Sequence, residues 1–276
     1  MGVLAEKAAI VTGSARGIGR AAAALLAEHG ARVLVTDVDE DLARQAAEEI
    51  GAGAAVFGGD LTQEGVPEAL VQRAVEEFGQ LDIVVNNAGY TWDGMAHRMS
   101  DEQFRAMLEI HLVVPFQILR AAAPYLRDAG KADREAGREV FRKVVNVTSI
   151  SGTQGNLGQS NYSSAKAGLV GLTKTLAREW GPFLVNVNAV AFGFVETRLT
   201  AASDEGGETI DRGGREIRLG IPQKLRDMAP ALIPLGRPAT PEDAAGPIFF
   251  LCSPWSNFVH GQVITASGGQ TTGMTS

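Results

Sequence analysis

Ala8-Ala9-Ile10-Val11-Thr12-Gly13-Ser14-Ala15-Arg16-Gly17-Ile18-Gly19 is the stretch that decides the fold. A short apolar run leads into a turn with glycine at 13, 17 and 19, and a helical pattern containing Ala21 to Ala24 follows. Glycines so placed permit a tight turn, let the backbone approach a pyrophosphate, and let the helix pack close to the strand. The helix N-terminus adds free N–H groups and a partial positive charge suited to phosphate. Gly13, Arg16, Gly17, Ile18 and Gly19 are therefore the expected dinucleotide-binding turn. Such a turn alone can equally be only a turn; its place after a first strand and before a helix gives it weight.

Further along, short β-branched runs alternate with longer amphipathic stretches. Strands are expected at residues 8–11, 32–36, 55–57, 81–85, 143–147, 185–190 and 263–265, and their near-continuous apolar character suits strands buried on both faces of a parallel sheet. Helical patterns lie near 18–29, 40–50, 64–78, 101–127 and 160–180, and a last helix follows Pro241, a residue favoured at helix starts. This alternation predicts an α/β protein with a doubly wound sheet and helices on both faces. No repeat, low-complexity tract or linker divides the chain, so residues 1–276 read as a single dinucleotide-binding and catalytic domain. Two stretches are irregular. Residues 128–142 form a charged insert, read as a solvated helical extension or loop. Residues 198–233, with Gly206, Gly207, Gly213 and Gly214, are long for a connection and read as a substrate loop or lid.

Composition limits the alternatives. With 25 basic against 32 acidic residues the formal charge is −7, and no basic block marks a nucleic-acid-binding surface. The lone cysteine, Cys252, forms no internal disulfide and reads as a small buried hydrophobe. No apolar run approaches the roughly 20 residues of a membrane span, and Glu6 and Lys7 precede an apolar strand rather than a signal peptide's apolar core. A cytoplasmic protein without membrane or nucleic-acid partners is expected. The four histidines show no metal-ligand spacing, so no metal is expected. Glycine is abundant, 33 of 276 residues, which points to many tight turns and close backbone approaches.

Several polar residues fall at the carboxyl ends of strands, where open α/β sheets bind ligands. Asp37 ends the second strand, where a carboxylate can accept both ribose hydroxyls of NAD and repel the 2′-phosphate of NADP. The alternative is that Asp37 caps the helix beginning near Asp39. Arg16, in the glycine turn, is expected nearby and able to offset part of the repulsion. Asp60-Leu61 follows the third strand and Asn86-Asn87-Ala88-Gly89 the fourth; as isolated strings each is compatible with an ordinary polar turn.

Ser149, Tyr162 and Lys166 are the strongest signal. Four residues apart on a helix, Tyr162 and Lys166 share one face. A phenol near pKa 10 is a poor base at neutral pH, and a neighbouring ammonium is expected to lower that value. Ser149, ending the fifth strand, can hydrogen-bond the same substrate oxygen. The three suit proton transfer beside a nicotinamide, interconverting an alcohol and a carbonyl by hydride transfer.

Taken together, Thr12-Gly13-x-x-x-Gly17-Ile18-Gly19, Asp60, Asn86-Asn87-Ala88-Gly89, Ser149, Tyr162-x-x-x-Lys166 and Ser267-Gly268-Gly269 resemble the short-chain dehydrogenase/reductase family, in its single-domain branch, from about residue 4 to 271. The resemblance implies a Rossmann-type sheet of about seven parallel strands, Tyr162 as acid/base, Ser149 orienting substrate, and Lys166 also holding the nicotinamide ribose. It further implies Val195 and Thr197 at the carboxamide, and a homotetramer. Gly155-Asn156-x-Gly158-Gln159-Ser160-Asn161-Tyr162 and Ile233-Pro234-Leu235-Gly236-Arg237 are most similar to the 3-oxoacyl-acyl-carrier-protein reductases of that family. Those reductases usually favour NADPH, which Asp37 contradicts.

The leading expectation is thus an NAD(H)-dependent oxidoreductase acting on a secondary alcohol or ketone, with an NADPH-dependent reductase of acyl thioesters as the alternative. A sugar-nucleotide epimerase would share the tyrosine–lysine pair but carry a larger C-terminal substrate region. A catalytically silent dinucleotide-binding scaffold is a further alternative. Two departures from the family pattern bear on this. His111 stands where the family usually has an asparagine whose backbone carbonyl holds a water in the proton relay. Pro115, four residues on, has no N–H to bond the carbonyl of His111, which is expected to keep that water; a satisfied core histidine is the alternative. Phe192 replaces the usual proline before Gly193. Trp92 and Met95 read either as substrate-pocket lining or as core.

Overall fold

The computed structural model describes residues 2–51, 53–202, 209–211 and 216–270. Strands β1 (Ala8–Thr12), β2 (Arg32–Asp37), β3 (Ala54–Gly58), β4 (Ile83–Asn86), β5 (Arg142–Ser149) and β6 (Val185–Phe192) precede a short hairpin of β7 (Thr209–Asp211) and β8 (Glu216–Arg218). A last strand, β9 (Val263–Ala266), follows. All but β7 and β8 form one seven-stranded sheet in the order β3-β2-β1-β4-β5-β6-β9, with every pairing parallel. The expected α/β, doubly wound Rossmann-type architecture is the observed one.

The side-chain period of a strand sends neighbours to opposite faces, and both faces here are apolar. Ala8 and Ile10 of β1, Leu34 of β2, Val84 of β4 and Val144 of β5 enter one core cluster; Ala9, Val11, Val33, Ile83, Val85 and Val145 enter another. The first cluster is closed by helices α3 (Val66–Phe78), α4 (Asp101–Leu108), α5 (Val114–Ala123) and α8 (Ser160–Trp180), the last preceded by the single turn α7 (Ser151–Gln154). The second is closed by α1 (Gly17–Glu28) and α10 (Pro241–Cys252), and α2 (Glu40–Ile50) packs Ala43, Ala46 and Ala47 beside Val35. Asp39, rather than Asp37, caps α2: its side chain accepts from Leu42 N–H. That frees Asp37 from the capping role the sequence left open.

Helical structure runs without a break from Asp101 to Glu135, through α4, α5 and α6 (Ala129–Glu135), with wide π turns at Glu109–Val113 and Pro124–Asp128. Each π turn sits beside a proline, Pro115 and Pro124, whose missing N–H removes an ordinary i→i−4 bond. By length and composition alone this helix could cross a membrane, yet Arg105, Glu109 and Arg120 interrupt its apolar stretch, as the sequence expectation of no long apolar run has it. Its apolar residues Met107, Ile110, Val114, Ile118, Leu119 and Leu126 are those packed in the first core cluster.

The charged insert 128–142 is partly α6. It is tied down by Asp133, whose carboxylate meets Arg138 at 2.6 Å and Arg142 at 2.9 Å. The long segment 198–233 carries more structure than a loop: a 3-10 turn at Arg198–Thr200, the β7–β8 hairpin, and α9 (Gln223–Leu232). Ile210 and Ile217 point into the first core cluster, which anchors the hairpin. The glycines at 206, 207, 213 and 214, on which the lid expectation partly rested, lie outside the described residues.

Candidate active site

The sheet reverses its winding direction between β1 and β4, since β1 pairs β2 on one side and β4 on the other. Side chains and loops at the carboxyl ends of these strands line a cleft of about 700 Å³, the position where open α/β sheets bind dinucleotides.

The glycine turn fits a close backbone approach. A Cβ at Gly13, which has φ +62°, would lie 2.8 Å from Ala88 Cα, and one at Gly19 would lie 2.2 Å from the carbonyl oxygen of Gly13. Gly19 therefore packs α1 against the turn, while Gly13, Arg16, Gly17 and Ile18 line the cleft. Asn87 fastens β4 to this turn: its Nδ2 donates to the carbonyl oxygens of Thr12 at 2.9 Å and Gly13 at 3.1 Å. Thr12 Oγ1 accepts from the N–H groups of Asn87 and Ala88, both at 2.9 Å. The cradle left by these bare glycines, opening onto the N-terminus of α1, suits a pyrophosphate.

Asp37, Asp60, Leu61, Asn87, Ala88 and Gly89 line the same cleft, as do Val195 and Thr197 from the far side. Asp60 has its carboxylate turned to Thr62, accepting from that residue's N–H at 3.0 Å and hydroxyl at 2.8 Å. The Val195–Thr200 stretch closes over the turn, with the Thr197 methyl 3.6 Å from where a Cβ of Gly17 would stand. Phe192, buried at the end of β6, adds a wall of the cleft.

Ser149 at the end of β5 and Tyr162 and Lys166 in the first turns of α8 converge on the cleft. Ser149 Oγ accepts from Ser151 N–H at 3.1 Å, which aims the hydroxyl. Burial pushes the Tyr162 phenol up to about 12, against a smaller lowering from its hydrogen bond with Ser149 and a further raising by the Asp93 carboxylate. The expected lowering of this phenol by Lys166 is thus reversed in sign. The cause is burial of the phenol itself, which outweighs its other influences; Lys166 is buried too, its ammonium lowered to about 7, and its Nζ donates to the carbonyl of Val147 at 2.6 Å while standing 5.5 Å from the Tyr162 ring centre.

His111 lies in the first π turn, is 3% exposed and borders the cleft. Its Nε2 is 2.7 Å from the carbonyl oxygen of Tyr90, and its ring meets the Tyr162 ring edge-on with centres 4.9 Å apart. Burial and the nearby Lys166 hold its pKa well below the ordinary histidine value.

Sequence reasoning missed Asp93 and Gln159, which also line the cleft. Gln159 Nε2 donates to Asp93 at 3.0 Å, while its Oε1 accepts from Ser151 Oγ at 3.2 Å and Asn156 Nδ2 at 3.0 Å. This network joins the segment after β4 to the one before α8, and burial raises the Asp93 carboxyl above its ordinary value. Asn156 and Gln159 were quoted only as part of a family string, and a contact spanning 66 residues has no local signature. Trp92 packs against the core and Met95 is exposed, so neither lines the cleft among the described residues. Among those residues no three His, Cys, Asp or Glu side chains gather as metal ligands.

A bound nicotinamide dinucleotide supplies hydride transfer at such a site. The residues present fit one: the bare glycine cradle and helix N-terminus for its phosphates, Asp37 for a ribose, and Ser149, Tyr162 and Lys166 at the far end of the cleft.

Comparison with known proteins agrees. A family model described as enoyl-(acyl carrier protein) reductase matches residues 13–271. The chain is 37% identical to the 3-oxoacyl-acyl-carrier-protein reductase FabG of Aquifex aeolicus over 270 residues, covering 96% of this chain and 98% of that one. It is 36% identical to the same enzyme of Vibrio cholerae over 266 residues, covering 96% and 98%. Against that of Chlamydia muridarum it is 35% identical over 271 residues, covering 97% and 98%. A silent scaffold and an epimerase are set aside by these matches, which make the chain an NAD(P)-dependent oxidoreductase acting on CH–OH or keto groups. With its glycine turn, its seven parallel strands and a match along nearly its whole length, the chain belongs to the short-chain dehydrogenase/reductase family.

Proposed function

We propose that the protein reduces the keto group of a 3-oxoacyl thioester to a secondary alcohol, with NAD(H) as its dinucleotide. The observation that carries the reading is the convergence of Ser149, Tyr162 and Lys166 at the carboxyl end of β5, in a chain alike along its length to 3-oxoacyl-acyl-carrier-protein reductases. That likeness favours the acyl thioester over the general secondary alcohol first expected. Leu199, Ile221, Ala229 and Leu232 line the cleft from the 198–233 segment and offer an apolar wall to an acyl chain. An acyl carrier protein as thioester donor and a homotetramer belong to the same proposal; light scattering reads the second.

Tyr162 is the acid: with a raised pKa it holds its proton at neutral pH and gives it to the oxygen formed on reduction. Ser149 holds that oxygen, and Lys166 in its ammonium form steadies the phenolate left behind. Gly13, Arg16, Gly17, Ile18, Asp60, Leu61, Asn87, Ala88, Gly89, Val195 and Thr197 hold the dinucleotide, with Gly19 keeping the turn closed. Asp37 favours NAD, since a carboxylate beside a 2′-phosphate is repelled.

Nicotinamide absorbance during turnover tests the reading, with acetoacetyl-coenzyme A against a cyclic ketone, each with NADH and NADPH, and Tyr162→Phe as the blank. Turnover of the thioester with NADH, lost in the blank, is the expected result. A faster cyclic ketone would restore the general alcohol dehydrogenase, and preference for NADPH would mean that Arg16 outweighs Asp37.

A further inference from the structure

His111 carries a buried acceptor that has no partner among the described residues. Nε2 faces the carbonyl oxygen of Tyr90 at 2.7 Å, and a carbonyl can only accept, so Nε2 bears the hydrogen. Nδ1 then carries an unprotonated lone pair, and it is buried with no hydrogen-bond partner among the described residues. The ring cannot relieve this by taking a second proton, because burial and Lys166 both hold it neutral. The ring packs directly on Gly89: a Cβ there would lie 2.1 Å from its Cε1 and 2.6 Å from Nδ1, so the imidazole fills the space a side chain at 89 would need. Edge contact with Tyr162 fixes the other side. A buried acceptor left unmade is costly, and on the wall of a ligand cleft it marks a place for a donor.

We infer that His111 Nδ1 accepts a hydrogen bond from a hydroxyl donor present during turnover, a single water or a sugar hydroxyl of the dinucleotide, and so positions the proton path at Tyr162 and Lys166. This rests on the proton-transfer reading of Tyr162 given above, and differs from a role for the His111 backbone carbonyl alone. Tyr162 and Lys166 are the titratable groups that face the ring. His111 is a positioning residue: it acts through the donor it holds.

Nitrogen-15 spectra of protein labelled in its four histidines test the state of the ring directly, with His111→Asn assigning the signal. The Nε2–H tautomer should persist from pH 5 to 9 without the cofactor. Its Nδ1 resonance should shift toward a hydrogen-bonded value when NADH is added. A ring protonated at Nδ1 would overturn the inference, whatever the activity. Kinetically, His111→Phe keeps a ring and loses the acceptor, so kcat for reduction should fall about tenfold, as for one hydrogen bond, with KM for the ketone unchanged. Weaker NADH binding in this variant would identify the sugar hydroxyl; unchanged binding with an altered solvent deuterium isotope effect would identify the water. His111→Ala provides the check if the larger ring fails to fold: imidazole should restore activity, and pyrrole, which has no acceptor nitrogen, should not. Equal rescue by both, or an unaltered kcat and pH profile in His111→Phe, would sink the idea. Turnover that survives Tyr162→Phe would instead refute the parent reading and leave the spectra to stand by themselves.

Discussion

Lys166 Nζ donates to the backbone carbonyl of Val147 at 2.6 Å, which ties the ammonium beside Tyr162 to strand β5. The same burial lowers that ammonium to about 7 and raises the phenol to about 12. Around neutral pH the pair therefore changes charge at the lysine, while the tyrosine keeps its proton. On the proposed reading, reduction leaves a phenolate, which the ammonium form of Lys166 stabilises. The expected outcome is that kcat/KM for keto reduction holds below about pH 7 and declines as the pH rises through the Lys166 value. Lys166→Arg keeps its charge throughout that range, so any activity it retains should show no such decline.

Asp37 ends β2 on the cleft wall, and the helix that follows is capped by Asp39. Asp37 Oδ1 accepts from Asp39 N–H at 3.4 Å, and on the proposed reading the carboxylate meets the dinucleotide ribose. Two like charges about 4 Å apart cost about 1 kcal/mol in water and about 4 at an effective dielectric of 20. Asp37→Ser should therefore shift the ratio of kcat/KM for NADPH over NADH upward by about ten- to a thousandfold. An unchanged ratio, measured with one ketone at fixed ionic strength, would place the discrimination elsewhere.

Asp93 bears on Tyr162 through its charge, and Gln159 holds it there. A carboxylate near a phenol disfavours the phenolate, so Asp93→Asn should move the Tyr162 ionisation downward. Alcohol oxidation, which needs the phenolate, should then reach its plateau at lower pH than in the unaltered protein. The pH dependence of kcat for oxidation reads this shift. Gln159→Ala, which frees the carboxylate from its donor, should change the KM for substrate as well.

Lys143 makes a prediction far from the cleft. Its Nζ donates to Asn257 Oδ1 at 2.7 Å, Asn186 Oδ1 at 2.9 Å and Ser256 Oγ at 3.2 Å, which ties β5 to β6 and to the turn before β9. Burial lowers it to about 8 from 10.5. Between those values the unfolded chain binds the extra proton, so this group adds stability as the pH rises. Lys143→Met should cost about 2 kcal/mol for the lost bonds of a charged donor, and the gap from the unaltered protein should widen from pH 8 to 10. Urea unfolding at several pH values measures it.

The parts of the site legible in the sequence are those whose geometry is local. Gly13, Gly17 and Gly19 can be read because a turn between a strand and a helix leaves its mark within eight residues, and Tyr162 and Lys166 because one helical turn brings them together. Two things were hidden for a common reason, distance along the chain. The Asp93–Gln159 contact joins residues 66 apart, and the sign of the Tyr162 shift depends on how much of the protein surrounds its hydroxyl. The β7–β8 hairpin escaped because its three-residue strands show only one inward side chain each, Ile210 and Ile217. Pro115 announced the loss of one ordinary helical bond near His111, but not that the helix would answer with a π turn.

That wide turn at Glu109–Val113, where Val114 N–H reaches back to the carbonyl of Glu109, holds one residue more than an α turn. The helix before it and the helix after it nevertheless keep Met107 and Ile118 in the same core cluster. The extra residue thus leaves the core-facing stripes of the two flanking helices joined, with Ile110 of the turn itself in the same cluster. Seen in evolutionary terms, a one-codon deletion here would leave the core-facing registers of both helical halves intact while rotating His111 off the Tyr162 ring. The catalytic cleft and the hydrophobic core can thus be altered separately within a single helix.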